Sequence, residues 1–174
     1  MRIPVETRSI PWIVFLISVA TLGGAYLFQY VGGLAPCELC YWQRIPYAVG
    51  IPLSALAIVA GRTTNIGLTP LTLMTICALT FAVSAGLGLY HAGVEYKWWE
   101  GPSACTGAGA IPMTLEDLAS GLAAPSIVRC DEIPWSLFGI SLAGYNFLIS
   151  LLLTGLCLLP LYRYRYPADT ALDQ

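Results

Sequence analysis

Charge is what this sequence has least of. Lys, Arg, Asp and Glu make up 10% of its 174 residues, where a soluble domain carries about 25%. Eight basic and ten acidic side chains cannot coat a globule of this length. The net charge of −2 leaves no basic face for phosphate. A soluble enzyme, a nucleic-acid binder and a disordered chain are therefore poor fits. Histidine is nearly absent too. A single residue, His91, rules out bis-histidine haem and most histidine-based metal sites. No Walker loop, dinucleotide fingerprint or Ser–His–Asp arrangement is present to suggest nucleotide or hydrolytic chemistry.

What is there is apolar: 57% of the residues are hydrophobic. The few charges bracket uncharged runs of 29, 17, 32 and 30 residues, between Arg8 and Glu38, Arg44 and Arg62, Arg62 and Glu95, and Glu132 and Arg163. A membrane-spanning helix needs about 20 apolar residues, so each run holds one span and none holds two. The spans are expected near residues 10–31, 43–61, 68–92 and 134–161, joined by loops 32–42 and 93–133 on one side. The whole of 1–174 then forms one integral membrane domain, an all-α four-helix bundle. The second span is the shortest and contains Pro52, a kink that neighbouring helices can tolerate. The first run exceeds the roughly 7–15 apolar residues of a cleaved signal core and is expected to stay as a span.

Aromatic residues support the same boundaries. Trp12, Trp42, Trp98, Trp99 and Trp135 all fall at expected span ends, as do Tyr162, Tyr164 and Tyr166. Amphipathic rings favour the headgroup layer. Arg2, Arg8, Arg62, Arg163 and Arg165 lie on the side of the termini, against Arg44, Lys97 and Arg129 on the loop side. This positive-inside bias favours cytoplasmic termini.

Four of the six cysteines fall on the loop side: Cys37, Cys40, Cys105 and Cys130. If that side is extracytoplasmic, it is where disulfides persist. Cys77 and Cys157 lie inside spans and are expected to be small buried hydrophobes. Cys37-Glu38-Leu39-Cys40 opens the second span. So small a ring is a weak structural staple, and its usual value is switching between dithiol and disulfide. A helix N-terminus favours a thiolate. Arg44, four residues after Cys40, adds a fixed positive charge on the same face. Snorkelling of Arg44 to headgroups beside a passive crosslink is the plainer alternative.

Cys105 and Cys130 lie in the longer loop. Gly101, Pro102, Gly107 and Gly109 make the segment around Cys105 a candidate for exposure and attack by another protein's thiol. Ile111, Leu115, Leu118 and Leu122 recur at roughly helical spacing, which predicts a short amphipathic helix on the membrane surface. A disulfide closing this loop would stabilise by about 3 kcal/mol on the chain-entropy model, so a purely structural bridge is the competing expectation. Tight zinc sites usually show two close cysteine pairs, and only one C-x-x-C exists; no metal is expected. His91 lies near the outer end of the third span, at about the depth of Arg44. It either bonds a neighbour or faces a ligand there. A non-catalytic tetraspan protein with two structural disulfides is the alternative to a redox protein.

The segments PCELCYWQRIPY, LYHAGVEYKWWEGPSACTG and RCDEIPWSLFGISLAGYNF resemble the DsbB family of disulfide bond formation proteins. The resemblance covers essentially the whole chain. The vitamin K epoxide reductase type keeps its C-x-x-C late in the chain and fits less well. Membership would imply an inner-membrane thiol oxidase of a Gram-negative bacterium, with termini cytoplasmic and cysteine loops periplasmic. It would reoxidise a periplasmic DsbA-like thioredoxin-fold oxidase and pass two electrons to ubiquinone or menaquinone. By resemblance, Cys105 would meet the partner, with Cys130 as its disulfide mate. Electrons would reach Cys37–Cys40 through an exchange of Cys37 with Cys130. Cys40 would face the quinone beside Arg44, with His91 as a further quinone-pocket residue and Glu95 a weaker one. Gln43 stands where the family often carries a glutamate, which leaves the proton route open.

Overall fold

A computed structural model describes residues 9–63, 68–106 and 128–165. Four long helices dominate them: α1 (Ile10–Tyr30), α2 (Glu38–Thr63), α3 (Leu68–Glu95) and, after a short turn of helix α4 (Ser103–Thr106) and a hairpin, α5 (Leu142–Arg165). The apolar segments of the four are 21, 25, 27 and 24 residues long. At about 1.5 Å per residue each reaches across a hydrocarbon core of about 30 Å. The protein is an all-α, multi-pass membrane four-helix bundle. The stretch expected to form the amphipathic surface helix lies outside the described residues.

The bundle is apolar outside as well as in. Leu16, Leu27, Leu79 and Val83 are each at least 60% exposed, as suits side chains bathed in lipid tails. Hydroxylated residues share the interior with the apolar ones. Ser18, Ser54, Ser84 and Ser150 are fully buried. With no hydrophobic drive between helices in lipid, close packing and hydrogen bonds must hold them. Ser18 and Ser54 satisfy themselves by donating to the Val14 and Gly50 carbonyls at 2.7 and 2.8 Å. Ser150 joins three helices, through the Tyr47 hydroxyl at 2.9 Å and the Ser84 hydroxyl at 2.9 Å. Gly88 lets α3 approach α5, since a Cβ there would sit 2.8 Å from the Phe147 backbone nitrogen. Below this layer Val14, Tyr47, Met74, Phe81 and Leu153 form the core, with Cys77 and Cys157 among them at 0% exposure.

The helix ends depart from the expected boundaries, and the differences shape the site. Helix α2 begins at Glu38 rather than near 43, so Cys40 lies in its first turn. Helix α3 runs to Glu95, nearly a turn past 92. The last helix begins at Leu142 rather than 134. The intervening residues form a hairpin, β1 (Ser136–Leu137) with β2 (Ile140–Ser141), paired antiparallel. Its turn residues Phe138 and Gly139 both take positive φ, 51° and 76°, the two-residue hairpin geometry that matches strand twist. Pro134 ahead of it cannot donate a backbone hydrogen bond and suits an extended entry. An uncharged apolar run hides such a hairpin, because hydropathy alone does not separate it from helix.

Candidate redox site

The site is built where α2 begins. Cys37 immediately precedes α2, and its sulfur accepts the Cys40 backbone N–H at 3.3 Å, in the manner of a capping side chain. The two sulfurs lie 2.9 Å apart as free thiols. Cys105 and Cys130 are joined by a disulfide, with their Cα atoms 5.3 Å apart. The Cys130 N–H also donates to the Cys105 carbonyl at 2.8 Å. Sequence reasoning placed the four cysteines on one face. The structure brings them into contact: Cys37, Cys105 and Cys130 form one buried cluster, with Leu39 and Cys40 packed against it. Cys105 is only 2% exposed, not the open sulfur its glycine-rich surroundings suggested. It is packed against Cys37 and Cys130.

A second ring of groups surrounds the C-x-x-C pair. His91, 3% exposed on α3, places Nε2 3.6 Å from Cys37 Sγ. Its Nδ1 accepts from the Gln43 amide at 2.7 Å, and the Cys130 backbone also bonds the ring. His91 therefore touches both cysteine pairs. Arg44 points toward α1, where Nη1 donates to Gln29 Oε1 at 2.6 Å. Its guanidinium lies over the Tyr26 and Tyr41 rings at 4.9 and 5.2 Å. Glu95 lies one turn beyond His91, with Oε1 3.9 Å from Nε2. The Ser141 hydroxyl donates to the other Glu95 oxygen. That same hydroxyl accepts the Gly144 N–H at 3.1 Å, so one serine both starts α5 and holds the carboxyl.

Cys40, Gln43, Arg44, His91 and Glu95 share one wall of a cavity of about 380 Å³. Its remaining walls are largely apolar and come from α1, α5 and the residues around Trp135. This size and lining suit a small, mostly apolar ligand with a few polar contacts. The family profile "Disulfide bond formation protein DsbB" matches residues 7–160 of the chain.

The chain belongs to the DsbB family. Disulfide bond formation protein B 2 of Pseudomonas savastanoi pv. phaseolicola is 34% identical over 168 residues, covering 90% of this chain and 87% of that protein. Disulfide bond formation protein B of Verminephrobacter eiseniae is 34% identical over 158 residues, covering 88% and 85%. That of Marinobacter nauticus is 30% identical over 173 residues, covering 94% and 96%. No solved structure matches. Membership makes this a disulfide-forming oxidoreductase of the membrane.

Two further features of this DsbB site were not legible in the sequence. Gln29 and Ser141 carry no local pattern that relates them to Arg44 and Glu95. A polar clamp also fastens the Cys130 segment to the end of α3. Lys97 donates to the Asp131 carbonyl at 2.7 Å and to its carboxylate at 2.5 Å, and Arg129 reaches the same carboxylate at 2.8 Å. The Arg129 hydrogen bond, followed by that from Lys97, holds the Asp131 carboxyl well below the usual range. Cys37, Cys40 and His91 also place ligand atoms within 4.8 Å of one another.

Proposed function

We propose that this protein reoxidises a periplasmic DsbA-like thioredoxin-fold oxidase and delivers the electrons to a membrane quinone, ubiquinone or menaquinone. It would do so from the inner membrane, with its termini cytoplasmic. The observation that carries the proposal is the joining of both cysteine pairs in one buried cluster beside a ligand-sized cavity. Thiol–disulfide exchange needs an attacking sulfur next to the bond it breaks, and this cluster supplies such neighbours. Cys105 would exchange with the partner. Cys130, held against His91, would pass the electrons on to Cys37. Cys40, at the N-terminal turn of α2 and on the cavity wall, would be the sulfur that meets the acceptor.

The cavity's chemistry fits a quinone head group. Its polar wall offers the guanidinium of Arg44, the amide of Gln43 and the imidazole of His91 to carbonyl oxygens, and its other walls are largely apolar. A bound quinone supplies a sink for two electrons and two protons. Arg44, fixed by Gln29 and stacked on two tyrosines, keeps a permanent positive charge beside the Cys40 sulfur and the acceptor.

Purified protein supplied with a reduced thioredoxin-fold oxidase and a quinone tests this directly. Quinone should be consumed in step with partner oxidation, and Cys105→Ala should stop both. Full turnover by the Cys37→Ser, Cys40→Ser double variant would overturn the proposal.

A further inference from the structure

Glu95 has no part in the thiol exchanges above, yet it occupies a costly position. It is a carboxyl 5% exposed at the end of a spanning helix, and such groups in membranes usually serve a function. The His91 ring connects it to the redox pair, with Nε2 3.6 Å from the Cys37 sulfur and 3.9 Å from the Glu95 carboxyl. Because Nδ1 accepts from Gln43, the ring hydrogen sits on Nε2, the nitrogen that faces the Cys37 sulfur, the Glu95 carboxyl and the Cys130 backbone. The other groups around Glu95 are few. Cys37, just ahead of α2, faces the His91 ring, and α2 itself presents Cys40, Arg44 and the Tyr47 phenol to the cavity. Helix α3 presents His91. The hairpin presents the neutral Ser141 hydroxyl, and α5 the Tyr145 phenol. No titratable side chain of α1 lines the cavity.

We propose that Glu95 is a redox-linked proton carrier, taking up a proton when the Cys37–Cys40 disulfide opens and releasing it when the disulfide re-forms, with His91 as the positioning bridge to the Cys37 sulfur. This rests on the thiol-oxidase function proposed above. Opening the disulfide creates a Cys40 thiolate in the same weakly screened space as the carboxylate. Arg44 carries a single positive charge and lies toward α1, hydrogen-bonded to the neutral Gln29, so it can offset only one of the two anions. Two neighbouring anions raise each other's proton affinity, and the carboxylate relieves the repulsion by protonation.

The balance closes. A partner dithiol becomes a disulfide and yields two electrons and two protons. The electrons open the Cys37–Cys40 bond, leaving a thiol at Cys37 and a thiolate at Cys40. One proton resides on Cys37 and the other on Glu95. When the disulfide re-forms, two electrons and both protons pass to the quinone, which leaves as quinol, and Glu95 is again a carboxylate.

The test needs no quinone. The full-length protein is equilibrated with a soluble dithiol–disulfide buffer of known potential between pH 6 and 8. The Cys37–Cys40 state is then read by alkylation and mass spectrometry. With two protons taken up, the equilibrium constant for opening falls hundredfold per pH unit, about 59 mV, against tenfold, about 30 mV, for one. The wild type should show the hundredfold slope and Glu95→Gln the tenfold slope. Equal slopes in the two proteins, or a tenfold slope in the wild type, would overturn the proposal. Should the variant fail to fold, infrared difference spectra of wild-type protein carrying 13C-labelled glutamate decide: a protonated carboxylic-acid band must appear on reduction, and its absence defeats the idea. Failure of the thiol-oxidase function would show separately, as no quinone consumption by wild-type protein.

Discussion

The protein holds two groups of buried cysteines, and their contrast is instructive. Cys77 and Cys157 are fully buried, and so is Cys130; Cys37 and Cys105 are nearly so. Burial therefore does not separate the four cysteines proposed to be redox-active from the other two. Their surroundings do. Cys77 and Cys157 lie among Val14, Met74, Phe81 and Leu153, each thiol with the other as its sulfur partner and with no charged group in that cluster. The other four touch one another at a helix N-terminus, with an imidazole, a guanidinium and a carboxyl around them. Reactivity follows from a stabilised thiolate and an adjacent disulfide, and among the described residues the disulfide lies at this end of the bundle, against Cys37.

The sharpest way to break that contrast is to exchange the fates of the two groups. Replacing Cys37 or Cys40 by Ser should lower turnover by at least about 1,000-fold, because the covalent route is gone rather than weakened. Replacing Cys77 and Cys157 by Ala should leave kcat within about twofold. It should cost stability instead, about 1–2 kcal/mol per site for a lost buried side-chain atom. Thermal unfolding in detergent beside the quinone assay measures both. A large loss of turnover in a folded Cys77→Ala, Cys157→Ala protein would show that the core pair takes part in the chemistry.

An intermediate effect is expected at Arg44. Its charge and hydrogen-bonding capacity are worth about 1.5–3 kcal/mol toward a charged or carbonyl partner. Arg44→Leu should therefore weaken use of quinone by about 10–100-fold. The first exchange, between the partner's thiols and Cys105–Cys130, should keep its rate, since Arg44 points toward α1 and not toward that disulfide. Single-turnover alkylation of the partner separates the two steps. Equal slowing of both would place Arg44 in the fold of the whole cluster rather than on the acceptor side.

The same contrast explains what could be seen in advance. The bundle was legible because few charges interrupt the apolar runs, and the cysteine pairs because spacing and parity set them on one face. Parity says nothing about contact. That Cys130 and Cys37 share a cluster depends on Cys105 and Cys130 lying against the start of α2, and no local spacing encodes that. The hairpin at 136–141 escaped notice because its residues are as apolar as the helix that follows. Only Phe138-Gly139 marks the turn. Glu95 was visible as a helical neighbour of His91, but its serine partner lies 46 residues away.

The smallest effect belongs to the clamp that holds Cys130 in place. The Asp131 carboxyl is depressed well below its usual range by Arg129 and Lys97. Its stabilisation is therefore fully present above the ordinary carboxylate pKa of about 3.9 and is lost as pH falls through the lower, folded value. Lys97 and Arg129 are substantially exposed, and exposed ion pairs contribute little. Asp131→Asn should lower Tm by only about 2 °C at pH 7. The difference from wild type should shrink as the pH drops below about 4, where the unfolded chain's carboxyl begins to take up protons while the folded one is still ionised. Added salt should narrow it at neutral pH as well. A constant Tm difference down to pH 2 would mean that Asp131 acts through its backbone carbonyl, which Lys97 also binds, and not through its charge.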